Sequence, residues 1–181
     1  MSNSFMRKFR ISDSPFSIRE IAYLSLVIAA CVVGRLVCQP LPNVQPLTAI
    51  FLIITIQLGL SRGMIVALLS VLITNFYLGM GIWTFSQLLS YFFILLIVMV
   101  LSRFKEFRNS YFLQSLFSFL AGFLYGLIIS FIDVQVYGMP AFLPYYLQGI
   151  PFDFMHGIGN LIFYLILAPV FIRLLQNRMN S

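Results

Sequence analysis

The chain has 181 residues, of which 61% are apolar and 9% charged, with a mean hydropathy of +0.99 and a formal net charge of +6. An ordinary soluble domain carries about 25% charged residues, so this chain lacks the polar atoms to cover a water-facing surface. A soluble enzyme, a nucleic-acid binder and a disordered tail are excluded on that ground, and the basic residues report membrane topology rather than a polyanionic partner.

A helix needs roughly 17 to 25 apolar residues to cross the hydrocarbon, and six runs approach that length. Residues 1–20 come first, a polar, basic stretch with Arg7, Lys8, Arg10 and Arg19 that does not predict a cleavable signal. The runs follow at 21–37, 47–60, 64–79, 85–101, 113–132 and 154–175, with 176–181 as a short tail. The second run is short for a full span, which predicts a helix tilted into protein, broken or partly re-entrant. The reading is one all-α membrane domain whose six-helix bundle occupies 21–175.

Every second gap is basic. Arg62 lies between the second and third runs, Arg103, Lys105 and Arg108 between the fourth and fifth, and Arg173 and Arg178 at the end. The gaps 38–46, 80–84 and 133–153 hold no Lys or Arg. By the positive-inside rule both termini are cytoplasmic, in agreement with an even number of spans. The longest outer gap, 133–153, combines Tyr137, Tyr145 and Tyr146 with Gly138, Pro140, Pro144 and Pro151, which predicts an ordered cap or lid.

Polar groups inside a membrane are costly and mark functional sites. Here they gather toward the outer ends of the runs, as Arg35, Asn43, Gln45, Asn75, Gln87, Asp133, Gln148, Asp153, His156 and Asn160. That distribution suits a pocket open to the outside and blind halfway across, since a channel needs polar lining throughout. Asp153, His156 and Asn160 fall at i, i+3 and i+7, on one face of a helix that Pro151 would start. Asp153 is placed either to accept from His156 or to favour the helix N-terminus. In the turn 79–87, Trp83 leads to Gln87 and Tyr91 at i+4 and i+8, giving an aromatic floor and an amide. Arg35 faces three open readings: it snorkels, it pairs with Asp133 or Asp153, or it meets a ligand anion.

Chemistry of other kinds finds little support. One histidine without a second metal ligand cannot make a zinc site, and the helix serines lack a Gly-x-Ser-x-Gly elbow and read as packing or back-bonding groups. Cys31 and Cys38, seven residues apart on one face, read as packing groups. An intramembrane enzyme and a ligand-free assembly factor remain as the alternatives. On the first run Ala22, Ser25 and Ala29 form a small-residue stripe that allows close helix approach.

The stripe, the stretch from Gly34-Arg35 to Pro42-Asn43-Val44-Gln45-Pro46-Leu47-Thr48, the turn Gly81-Ile82-Trp83-Thr84-Phe85-Ser86-Gln87 and residues 151–160 together resemble the substrate-binding S component of an energy-coupling factor (ECF) vitamin transporter. The resemblance covers essentially the whole chain and is greatest to the cobalamin-type S components. It implies capture of a vitamin outside a bacterial plasma membrane, with no catalysis and no cofactor. It also implies docking on a transmembrane coupling protein driven by two ATPases, and toppling within the lipid to deliver the ligand. An Ala-x-x-x-Ala-like motif is implied at the docking face; here the match is Ser25-x-x-x-Ala29, with Ala22 or Ala30-x-x-x-Gly34 as alternatives. The chain has no Gly-x-x-x-x-Gly-Lys-Ser/Thr loop, so ATP would be bound by the partners alone. The implied ligand-binding residues are Arg35, Asn43, Gln45, Asn75, Trp83, Gln87, Tyr91, Tyr137, Tyr146, Asp153, His156 and Asn160. Arg35 against Asp133 and Asp153 sums to about −1, which disfavours a strongly anionic ligand. Cobalamin is expected first, then pantothenate, riboflavin or pyridoxine.

Overall fold

The computed structural model describes the backbone of residues 16–180 and the side chains of residues 16–174. Arg7, Lys8, Arg10 and the side chain of Arg178 lie outside the described residues. The described chain is all helical: α1 (Ile18–Val37), α2 (Leu47–Leu58), α3 (Leu60–Leu78), α4 (Trp83–Leu101), α5 (Lys105–Asn109), α6 (Tyr111–Tyr137) and α7 (Phe142–Asn180). Five of these, all but α2 and α5, are long and apolar enough to cross a membrane. The chain is therefore plausible as a multi-pass membrane protein.

The short second helix is the hub. Residues 47 to 55 of α2 are all buried, and α2 packs against α1, α3, α4, α6 and α7. Twelve residues rise about 18 Å, well short of the roughly 30 Å hydrocarbon core. Such a helix gains little from lipid and is apolar all round because every face meets protein. At its end Gly59, at φ 93°, turns the chain into α3 without an intervening loop. The turn closes tightly because Gly63 lies on the Thr55 side chain, where a Cβ would have no room. Of the readings tilted into protein, broken or partly re-entrant, the structure shows a short helix buried in protein that ends at Gly59.

α6 and α7 form the most extensive helix pair. Their backbones approach through glycine: Gly122 lies on the backbone of Gly157, and Gly126 lies on the Asp153 carboxylate. Gly122 and Gly126 are four apart, the small-x-x-x-small spacing that lets membrane helices close up.

The lid expected over 133–153 is not a loop. α6 continues to Tyr137 and α7 begins at Phe142, leaving only 138–141 between them, with Gly138 capping α6 in the left-handed conformation. Pro151 consequently lies inside α7 rather than in a first turn, as does Pro169. Pro144 occupies the third position of α7, where a backbone N–H would have no intrahelical partner in any case. Pro169 cannot donate to the Leu165 carbonyl one turn earlier. The Tyr111 hydroxyl takes that role, donating to Leu165 O at 2.7 Å.

Charge separates the two ends of the bundle. Segments 38–46, 79–82 and 138–141 meet at one end without Lys or Arg, while Arg19, Arg62, Arg103, Lys105, Arg108 and Arg173 lie toward the other. Arg62 is not a loop cation but a buried residue in the first turn of α3, paired with Glu20 at 2.9 Å and stacked 4.7 Å from the Phe16 ring centre.

Candidate functional site

The cation-poor half of the bundle holds a buried polar cluster built from six helices. At its centre Thr48, in the first turn of α2, shares a 2.9 Å hydrogen bond with His156 Nε2 of α7 and donates to the Tyr91 hydroxyl of α4 at 3.4 Å. Three rings close around this point. Tyr91 and Tyr125 lie 5.0 Å apart, Tyr125 and His156 stand edge to face at 5.1 Å, and Phe51 meets Tyr91 at 5.0 Å. These separations are the preferred ones for aromatic pairs.

A second group flanks it. Asn75 of α3 donates to Gln87 Oε1 at 2.7 Å and to Thr84 Oγ1 at 2.9 Å, and the Gln87 side chain in turn reaches the Tyr125 hydroxyl. Arg35, near the end of α1, donates through Nη1 to Thr74 Oγ1 at 2.6 Å. Of the three readings of Arg35, a pair with Asp133 or Asp153 is not formed. Asp133 is buried near the end of α6, and its Oδ1 has no hydrogen-bond partner.

The third group is the face of α7 that carries Asp153, His156 and Asn160, exposed by 4%, 0% and 0%. Asp153 does not bond to His156. Asp153 Oδ2, His156 Nδ1 and both polar side-chain atoms of Asn160 have no hydrogen-bond partner. Ser118 of α6 donates to the Asn160 backbone carbonyl at 3.1 Å and leaves its amide side chain untouched. A buried polar group without a partner loses its desolvation energy uncompensated, about 1–3 kcal/mol each, so four on one helix face are a conspicuous deficit.

Other expected residues lie apart from this core. Asn43, at φ 58°, donates to Phe152 O at 3.0 Å and ties segment 38–46 to α7 just before Asp153. Gln45 is half-buried in the same segment, and Tyr146 stacks on Phe142 at the start of α7. Trp83 is exposed with its ring folded over Gly81, and Tyr137 is exposed at the end of α6. Trp83 therefore does not share an aromatic floor with buried Tyr91. Ala22, Ser25 and Ala29 lie on the exposed face of α1, with Ser25 bonded back to Ile21 O at 2.9 Å.

Sequence reasoning missed Tyr125 and Thr74, undervalued Thr48, and passed over Gly126. The Gly122-x-x-x-Gly126 spacing was the available signal for the last; for Tyr125, one aromatic among many in α6, there was none. Among the described residues no group of three or more His, Cys, Asp or Glu side chains is placed to hold a metal ion. Comparison of the chain with protein-family models, with curated proteins and with solved structures finds no match.

Proposed function

We propose that the chain is the vitamin-binding S component of an ECF-type importer in a bacterial plasma membrane. In this reading six helices cross the bilayer, with α2 as a short central span and both termini in the cytoplasm. The observation that carries it is the segregation of chemistry along the bundle axis. The unsatisfied polar groups of α7 lie toward the half that faces outward by the positive-inside rule, and of the described cations all but Arg35 lie toward the opposite end.

Such a protein captures without catalysing. The vitamin enters from outside between segment 38–46 and α7, above the ring cluster of Tyr91, Tyr125 and His156. The exposed small-residue face of α1 docks on a transmembrane coupling protein, and two partner ATPases drive toppling of the loaded subunit. Cobalamin is the leading ligand, because its peripheral amides match the Asn, Gln and Tyr content of the site; pantothenate, riboflavin and pyridoxine follow.

Calorimetric titration of the detergent-purified chain with these four vitamins tests the proposal. Saturable, stoichiometric binding of cobalamin without product formation is expected. Binding of another of the four keeps the class and replaces the ligand, and silence from all four removes the proposal.

A further inference from the structure

The four unpartnered atoms on α7 differ in what they need. In the Thr48–His156 bond either group can donate, because the Thr48 and Tyr91 hydroxyls can exchange donor and acceptor roles. Nδ1 of the neutral imidazole is accordingly an acceptor or a donor, as the tautomer dictates. Asp153 Oδ2 is an acceptor, and the carbonyl oxygen of the Asn160 side chain is another. The Asn160 NH₂ calls for an acceptor. Two of the four atoms, Asp153 Oδ2 and Asn160 Oδ1, thus require a hydrogen-bond donor from elsewhere whatever the tautomer of His156.

The neighbouring charges do not fill that need. Arg35 is bonded to Thr74, Asp133 can only accept, and Gly126 offers the Asp153 carboxylate a slot but no side chain. Building on the vitamin-capture reading above, we infer that Asp153, His156 and Asn160 form a donor-selecting face, which accepts a ligand bearing primary amide, hydroxyl or ammonium groups and rejects its carboxylate counterpart. Asp153 is the specificity-determining residue: a ligand carboxylate brought against it sets two like charges together in a low-dielectric site. Asn160, able both to give and to accept, meets an amide with both its groups, as one carboxamide meets another.

Matched pairs test this, each differing by one donor-for-carboxylate exchange: cyanocobalamin and its corrin-ring monocarboxylic acid, pantothenol and pantothenate, pyridoxine and 4-pyridoxic acid, and riboflavin and the acid made by oxidising its terminal ribityl alcohol. Titration of the full-length protein is expected to show the donor member binding at least about tenfold tighter in whichever pair binds. In Asp153→Asn that ratio falls to about threefold or less. Equal or tighter binding of the carboxylate member by the wild-type protein overturns the inference while leaving vitamin capture standing, as does a preference that survives unchanged in Asp153→Asn. Silence from every pair removes both. The wild-type comparison stands alone if the variant does not fold.

Discussion

Thr48 and His156 are 108 residues apart in sequence and 2.9 Å apart in space, and their bond is the link between α2 and α7 on which the ring cluster rests. Thr48→Val preserves shape but strips His156 of its hydrogen bond and leaves both ring nitrogens buried without partners. The expected loss is about 1–3 kcal/mol, read as a lower unfolding midpoint in detergent. Adding His156→Phe removes the stranded polar ring, so the double variant is expected to regain most of that loss; a double variant worse than Thr48→Val alone would show that the bond is not what matters. At this scale the sequence is informative only within a helix. The i, i+3, i+7 spacing of Asp153, His156 and Asn160 could be read directly, because helical periodicity fixes it. Their surroundings could not, since Thr48, Tyr125 and Ser118 come from other helices and no periodicity relates one helix to another.

Between helices, contact depends on missing side chains as much as on present ones. Gly126→Ala puts a methyl group where the Asp153 carboxylate lies, and the overpacking is expected to lower stability by about 1–3 kcal/mol. Gly149→Ala, in the same α6–α7 hairpin but with open space at its Cβ, is expected to be neutral or to stabilise by up to about 1 kcal/mol. Thermal unfolding of the two variants side by side separates close approach from simple helix propensity. The Tyr111 hydroxyl offers a second test. Tyr111→Phe is expected to cost about 1 kcal/mol when Pro169 leaves the Leu165 carbonyl without an N–H, and close to nothing in a Pro169→Ala background, where the helix supplies its own donor. Equal losses in both backgrounds would assign the tyrosine another role. The apolar runs announced the helices, but proline and glycine misplaced the start of α7. Counted as turn formers, Pro144 and Pro151 suggested a lid; one stands where no N–H was needed and the other inside a membrane helix, where such interruptions are tolerated.

For the whole molecule, the unequal ends matter most. The alternation of basic and uncharged gaps was legible because Lys and Arg are few and their placement is strongly selected in membrane proteins. Burial of Arg62 against Glu20 and Phe16 was not legible, since a lone cation in a gap looks the same whether it faces water or protein. On the proposed reading, the exposed stripe of α1 is the docking face. Ala29→Trp adds bulk on a face that no other helix covers, so it is expected to leave vitamin affinity in detergent unchanged while reducing cellular uptake of the same labelled vitamin at least about tenfold. Uptake at the wild-type level would move the docking surface elsewhere.

The enclosure of α2 also dictates an order of events during biosynthesis. The chain emerges from its N-terminus, so α2 exists before α4, α6 and α7, three of the five helices that finally surround it. In a membrane its flanks would meet lipid until they arrive, and a polar stripe suited to the finished interior would be stranded there. Leu47–Leu58 avoids this by being apolar on every side except for Thr48, Thr55 and Gln57, which lie near its two ends. The helix at the centre thus carries a surface that suits its own protein once assembled and that a bilayer would also tolerate on the way there.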